Sequence, residues 1–239
     1  MATEIQVKAK RNIFKSDGWK RFSKNKLALI GLIIITLLIL MAVFAPLIVK
    51  HSPYISLEDA DGIVMKNLSP KASGTLLGTD SLGRDIFSRV VYAARVSMSV
   101  GVVAVGISTT IGIILGAIAG YFGKWADTII MRAVDVVYCF PVMFLVIIIS
   151  TMLKPSIYNI MLVIGLCNWT GTARFVRGEI LRVRELEYVQ ASVSLGAKDG
   201  RIIWSHIIPN VMAPIIVEAT LQMAHAILTE ASLSYLGVG

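Results

Sequence analysis

The chain has 239 residues, of which 56% are hydrophobic and only 16% are charged, and its mean hydropathy is +0.74. Soluble domains carry about 25% charged residues, so the composition excludes an ordinary water-soluble protein and indicates a chain that crosses a membrane repeatedly. The net charge of +8 does not point to nucleic acid, because eight Lys/Arg stand against two acids within residues 1–26, directly before a long apolar run. That bias is typical of a cytoplasmic membrane flank.

A helix needs about 20 predominantly apolar residues to cross a bilayer. The first such run is uncharged between Lys26 and Lys50 and is too long for the apolar part of a signal peptide. The predicted spans, in chain order, are 27–49, about 96–123, 133–153, 157–173 and 207–228. They predict an all-α, polytopic transmembrane helix bundle with five spans.

Topology follows from the basic N-terminal segment 1–26, which we place in the cytoplasm. The segment 50–95 is then extracytoplasmic, and the charged loop 174–206 is cytoplasmic. Three arginines in the outer segment, Arg84, Arg89 and Arg95, oppose this orientation. The eight basic residues at the N-terminus outweigh them.

Two features inside the spans indicate packing. Gly112, Gly116 and Gly120 are each four residues apart, so they lie on one helix face where another helix can approach closely. Asp135, near the inner end of the third span, is expected to pair with Arg132 by i,i+3 spacing.

No catalytic constellation is present in the sequence. A phosphate-binding P-loop is missing, because Gly123-Lys124 has neither the upstream glycine nor the following hydroxyl. The zinc-protease pattern H-E-x-x-H is also missing, and the scattered histidines predict no metal site. An intramembrane serine protease would have to use Ser232 or Ser234 with His225. Small polar residues at the ends of spans are more typical of helix packing or capping.

The charged loop carries the most informative pattern. Residues 186–195 suit a short helix, which Gly196 ends because glycine tolerates a left-handed turn. A second short helix follows to Ile208, and Pro209 ends it or opens the next span. The pattern predicts a compact helix–turn–helix, although an ordinary amphipathic surface loop would read similarly.

This loop resembles the EAA loop of binding-protein-dependent ABC importer permeases. That loop reads Glu-Ala-Ala, three residues, Gly, nine residues, then Ile-x-Leu-Pro. Here Gln190-Ala191-Ser192 takes the triplet, Gly196 the glycine and Ile208-Pro209 the end. Gln190 replaces the acid, Ser192 an alanine and His206 an isoleucine, departures that resemble the peptide branch of the family.

Further stretches resemble the second, "C"-type permease of dipeptide and oligopeptide importers. They cover nearly the whole chain from Asn25, and their order and spacing carry the likeness more than any one of them. They include Leu77-Gly78-Thr79-Asp80, Gly83-Arg84-Asp85, Ala119-Gly120-Tyr121-Phe122-Gly123 and Glu230-Ala231-Ser232-Leu233-Ser234-Tyr235-Leu236-Gly237.

The resemblance implies a type I ABC importer permease fold within the permease core 96–239, in a multi-pass protein of the cell membrane. Six spans are expected, so five suggest that the sequence stops before the last. It implies a second homologous permease, two ATP-binding subunits that hold ATP and Mg, an extracytoplasmic solute-binding protein and membrane lipid as partners. No cofactor is expected in this chain itself.

The resemblance also implies that the loop couples the permease to the ATPase. A side chain at Gly196 is expected to collide with a neighbour or to strain the turn. The residues expected to take part in coupling are Glu187, Tyr188, Val189, Gln190, Ala191, Ser192, Gly196, Ala197, Lys198, Arg201, His206 and Pro209.

Glu218 is the charged residue inside the fifth span, roughly 16 Å from the start of the span at about 1.5 Å per residue. It either lines the translocation pathway or is structural, as a protonated carboxyl or the partner of a polar group on another subunit. The predicted function is import of dipeptides or oligopeptides. The alternatives are nickel or another small solute on the same architecture and, more remotely, an intramembrane enzyme or a membrane anchor.

Overall fold

The computed structural model of the protein describes residues 22–154 and 156–237, so most of the predicted segment 1–26 lies outside the described residues. The chain divides into two compact units between Arg95 and Val96. In the described ranges, extended pairing is limited to two isolated bridges, Glu58–Val64 and Thr79–Asp85. The all-α class is therefore confirmed.

The helices are numbered in chain order. They are α1 (Lys26–Val43), α2 (Ala45–Ile48), α3 (Ile86–Phe122), α4 (Lys124–Tyr138), α5 (Val142–Met152), α6 (Ile157–Arg184), α7 (Glu187–Ser194), α8 (Asp199–Ile202) and α9 (Ile208–Tyr235). A π-helical turn, Ile203–Ile207, joins α8 to α9.

Within residues 22–154 and 156–237, three helices are long and apolar enough to cross a membrane: α1, α3 and the continuous helix Asp199–Tyr235. A fourth span results if α4 and α5, which meet at an angle of 81°, are counted as one. The predicted fourth span lies within α6, which is too polar to be among them. Twelve residues of α6 are buried in the protein, so protein contacts replace much of the lipid contact that requires an apolar surface.

Two predicted boundaries are wrong. The span predicted over 133–153 belongs instead to two helices, α4 from Lys124 and α5 from Val142, with a sharp bend between them. Pro141 explains the bend, because it lacks an N–H and disfavours helical backbone in the residue before it. The loop predicted from residue 174 is also helical at first, since α6 continues to Arg184.

The glycine face of α3 is confirmed as a packing surface against α6. A Cβ at Gly116 would lie 2.6 Å from the carbonyl oxygen of Ala173 and 2.8 Å from Cβ of Val176. At Gly120 it would lie 3.0 Å from the carbonyl oxygen of Arg177. A larger residue would not fit, because backbone carbonyl oxygens of α6 are among the nearest opposing atoms at Gly116 and Gly120.

Two buried apolar clusters lie along α6. The first surrounds its N-terminal half, with Ile160 and Ile164 packed among residues of α3, α5 and α9. The second surrounds its C-terminal half, where Val176, Ile180 and Val183 meet residues from 189 to 215. The second cluster therefore connects α6 to the segment that resembles the EAA loop.

Asp80 organises the turn that precedes α3. Its carboxylate accepts hydrogen bonds from the backbone N–H groups of Leu82 and Arg84, each at 2.9 Å. It also forms ion pairs with the guanidinium groups of Arg84 and Arg89. Burial raises the pKa of Asp80, but the hydrogen bonds and the positive charge of Arg84 outweigh it and lower the pKa to about 2.

Candidate functional site

The segment 187–209, called here the EAA-like segment, begins with α7. Gln190 of this helix donates a hydrogen bond from Nε2 to the carbonyl oxygen of Arg184 at 3.0 Å. That carbonyl lies at the C-terminal end of α6, where helix carbonyls lack partners within the helix. The amide thus ties α7 to α6, which the carboxylate of the family's glutamate cannot do because it has no hydrogen to donate.

Gly196 ends α7, as predicted. Its φ is +75°, in the left-handed region. The N–H of Gly196 donates to Val193 O at 2.9 Å, and the N–H of Ala197 donates to Ser192 O at 3.1 Å. This pair of bonds is the Schellman motif. The expected collision does not occur among the described residues, because none of their atoms beyond the two chain neighbours lies within 4 Å of a Cβ built at Gly196. The restriction on this residue therefore comes from its backbone conformation.

Pro209 opens α9 rather than ending a separate helix. It occupies the first turn of α9, and the preceding residues 203–207 widen into a π turn. Proline cannot donate to the carbonyl four residues earlier and its ring clashes with that carbonyl, so a wider turn relieves the conflict. The predicted second short helix is in consequence continuous with the last span.

One face of the EAA-like segment is fixed in the protein core. Val189, Ile202 and Ile207 are at most 1% exposed and pack in the second apolar cluster. A hydrogen bond of 2.7 Å from Tyr121 Oη to Asp199 Oδ1 joins the segment to the end of α3. Arg184 completes the connection by donating to Tyr121 O at 2.9 Å. The segment is thereby attached to α3, α6 and α9 together.

The rest of the segment carries several exposed, large apolar side chains. Leu195 is 87% exposed and Trp204 is 73% exposed, and Tyr188 and Val193 are more than 40% exposed. The ring of Tyr188 lies 6.3 Å from that of His206, centroid to centroid. Large apolar side chains left exposed together on a rigid support are typical of a surface that a partner covers.

The predicted coupling residues are divided between these faces. Val189 is buried, whereas the side chains of Glu187, Lys198 and Arg201 are exposed and form no ion pair within the described chain. Leu195 and Trp204 were missed by the sequence reasoning, which followed the motif positions. The sequence feature that could have indicated these two residues is the presence of large apolar side chains in an otherwise polar loop.

Glu218 belongs to a polar network inside the bundle. Its Oε1 accepts a hydrogen bond from Gln222 Nε2 at 3.2 Å, and the same amide donates to Thr172 Oγ1 at 2.7 Å. Ser108 donates to Gln222 Oε1 at 3.2 Å. Ser108 and Gln222 also line a cleft of about 240 Å³, together with His225. The network connects α3, α6 and α9 through side chains.

Two ion pairs join α4 to α6. Arg177 forms a two-pronged pair with Asp127, with Nη2 at 2.6 Å from Oδ2. Asp135 forms an ion pair with Arg174 at 2.7 Å. The predicted pairing of Asp135 with Arg132 is therefore wrong. Tertiary packing brings Arg174 to Asp135 from another helix, and spacing along α4 does not reveal it.

The geometry defines an integral membrane protein whose helices carry a rigid segment with an exposed apolar face. Residues 112–239 match the family described as binding-protein-dependent transport system inner membrane component. Residues 14–70 match the N-terminal TM domain of oligopeptide transport permease C.

Individual relatives agree with these matches. The chain is 44% identical over 223 residues to the dipeptide transport system permease protein DppC of Alkalihalophilus pseudofirmus, covering 93% of this chain and 71% of the relative. It is 42% identical to DppC of Bacillus subtilis, covering 95% and 69%. It is also 42% identical to the oligopeptide transport system permease protein OppC of Bacillus subtilis, covering 93% and 71%. The chain belongs to the family of inner-membrane components of binding-protein-dependent transport systems.

Proposed function

We propose that this chain is a permease subunit of an ATP-driven importer, in which it forms half of the translocation pathway. The observation that carries the proposal is the EAA-like segment, in which Val189, Ile202 and Ile207 are fixed in the core while large apolar side chains such as Leu195 and Trp204 are exposed. Two ATP-binding subunits supply the energy, and one of them covers the exposed face. ATP and Mg are bound in those subunits.

The attachment of the segment explains how movement of an ATPase reaches the membrane helices. Val189 and Ile207 are buried against α6 and α9, so displacement of the segment displaces the helices behind it. Packed interiors are stiff and transmit displacement instead of absorbing it. The bond from Gln190 to Arg184 fixes α7 to the end of α6 in the same way.

The remaining partners are a second homologous permease and an extracytoplasmic solute-binding protein. The N-terminus and the EAA-like segment lie in the cytoplasm, and the segment 50–95 lies outside. Arg84 and Arg89 in that outer segment both pair with Asp80, which lessens the conflict between these arginines and the positive-inside bias.

Dipeptides or oligopeptides are the proposed cargo, because the relatives that this chain resembles over more than 90% of its length are named for them. The test is uptake of a labelled dipeptide into proteoliposomes that contain the assembled transporter and its binding protein. We expect uptake that depends on ATP and is not reduced by excess nickel. Uptake of nickel in place of peptide would contradict the choice of cargo.

The coupling role is tested by Leu195→Asp in the full-length chain, purified from mild-detergent membranes with its partners. A charge at this 87% exposed position should prevent burial against an ATPase without disturbing the core. We expect the ATPases to be lost and the second permease to be retained.

Leu82→Asp is the matched control, since Leu82 is 54% exposed in the outer segment. It should retain both partners. Retention of the ATPases by Leu195→Asp in the wild-type ratio would contradict the proposed docking surface. A wild-type chain that is purified alone, under conditions that preserve other membrane complexes, would contradict the importer itself.

A further inference from the structure

A cleft of about 380 Å³ lies in the first unit, at the end of the first apolar run. Lys50 and His51 line it from the chain that follows α2, and Asp85 lines it from the turn before α3. Ile48, Leu76 and Phe87 supply apolar lining. None of these residues belongs to the EAA-like segment, so the transport proposal leaves the cleft without a role.

Asp85 is 3% exposed, and its two carboxylate oxygens differ. Oδ2 caps the start of α3 by accepting hydrogen bonds from the backbone N–H of Ser88, at 3.1 Å, and from its hydroxyl. Oδ1 is buried and has no hydrogen-bond partner among the described residues. A buried carboxylate oxygen without a donor is costly, so a donor from outside the chain would stabilise it.

The cleft also carries unpaired positive charge. Lys50 lines the same cleft as Asp85, yet the structure gives it no ion pair with that carboxylate or with any other described acid. Arg84 and Arg89 do not pair with Asp85, because both form ion pairs with Asp80. The cleft is therefore lined by a carboxylate residue with one unpaired oxygen and by a lysine without an ion pair among the described residues.

The cleft lies at the depth of lipid headgroups. The apolar run from Leu27 to Val49 has a lysine at each end; the 18 residues of α1 span roughly 27 Å, and the short helix α2 follows before Lys50. The hydrocarbon core is about 30 Å thick, so Lys50 and the cleft beside it lie at the membrane–water boundary. Ile48 and Leu76 are 41% and 58% exposed there.

We propose that this cleft binds the headgroup of an ethanolamine phospholipid. The primary ammonium donates to Asp85 Oδ1, the phosphate pairs with Lys50 and contacts His51, and the acyl chains pass over Ile48 and Leu76. A charge-assisted bond from an ammonium satisfies the buried oxygen more strongly than a neutral donor does. The free amino end of a peptide offers the same ammonium, but the depth of the cleft and its exposed apolar rim favour a lipid.

The test compares phospholipids whose headgroups differ in whether they carry an ammonium group with N–H donors. The full-length protein is incorporated into vesicles of equal phosphatidylethanolamine, phosphatidylcholine and phosphatidylglycerol, extracted and washed, and its retained lipids are measured by native mass spectrometry. Phosphatidylcholine has no N–H to donate, and phosphatidylglycerol has no cation. We expect ethanolamine lipid to be enriched over choline lipid by about fivefold or more, as a charge-assisted hydrogen bond at a partly wet site allows.

Asp85→Asn is the decisive variant. Asparagine keeps the cap on α3 through its amide oxygen, and its NH₂ replaces the free acceptor with a donor. We expect the enrichment to fall towards one. Asp61→Asn, at an exposed position of the same unit with the same change of charge, should leave it unchanged.

Equal retention of ethanolamine and choline lipids by the wild type would overturn the proposal, and this comparison needs no variant. Undiminished enrichment in Asp85→Asn would overturn it as well. Binding of alanyl-alanine but not of its N-acetyl form, lost in Asp85→Asn and without enrichment of any lipid, would identify a peptide ligand instead. These outcomes do not depend on whether the chain transports peptides.

Discussion

Replacing Gly116 by alanine should destabilise the contact between α3 and α6. The new Cβ would lie 2.6 Å from the carbonyl oxygen of Ala173, where ordinary contact begins at 3.4 Å, so the helices must yield by about 0.8 Å. The obstructing oxygen belongs to the backbone of α6 and has no rotamer to change. Overpacking of this kind costs about 1–3 kcal/mol.

Gly106→Ala is the matched control on the same helix, because no atom lies within 4 Å of a Cβ built there. Both variants gain about 1 kcal/mol of helix propensity, which cancels in the comparison. Gly116→Ala should therefore melt below Gly106→Ala by about 2–4 °C for each kcal/mol of overpacking.

The assay can use the two cysteines of the protein. Cys167 is 6% exposed and Cys139 is exposed, so a Cys139→Ser background leaves a thiol that reacts with a fluorescent dye on unfolding. Equal melting temperatures for the two alanine variants would refute the close contact between α3 and α6.

Two other residues give predictions of their own. The pKa of Asp80 in the folded protein, about 2, lies below its ordinary 3.8, so the stability from its ionised form is present above pH 3.8 and lost as pH falls through about 2. Asp80→Asn should reduce the difference between melting temperatures measured at about pH 5 and about pH 2.5, and an unchanged difference would contradict the assignment. Glu218→Gln should retain most peptide uptake, because an amide oxygen can accept the same bond from Gln222. Loss of uptake in a fully assembled complex would instead assign Glu218 to the translocation pathway.

The sequence predicts the helical class and the end of α7 well, because both depend on local chemistry. Hydropathy reports long apolar runs directly, and the φ of +75° at Gly196 is what a glycine after a short helix indicates. The glycines of α3 are equally local, since a spacing of four places them on one face whatever they pack against.

Other features depend on tertiary packing and escape this reasoning. Pro141 lies inside an apolar run where hydropathy predicts one straight span, although the chain bends there by 81°. Arg174 reaches Asp135 from another helix. The exposure of Leu195 and Trp204 depends on which face of the EAA-like segment packs in the core. The motif pattern does not predict which face is buried.

ATP-driven, binding-protein-dependent dipeptide uptake, measured for wild type, Gly196→Asn and Gly196→Val in the assembled transporter, tests the central claim most directly. The space around Gly196 is open, and asparagine accepts positive φ far better than a β-branched residue does. We predict uptake by the wild type, near-normal uptake by the asparagine variant and little uptake by the valine variant. Wild-type uptake by Gly196→Val would contradict coupling through the EAA-like segment.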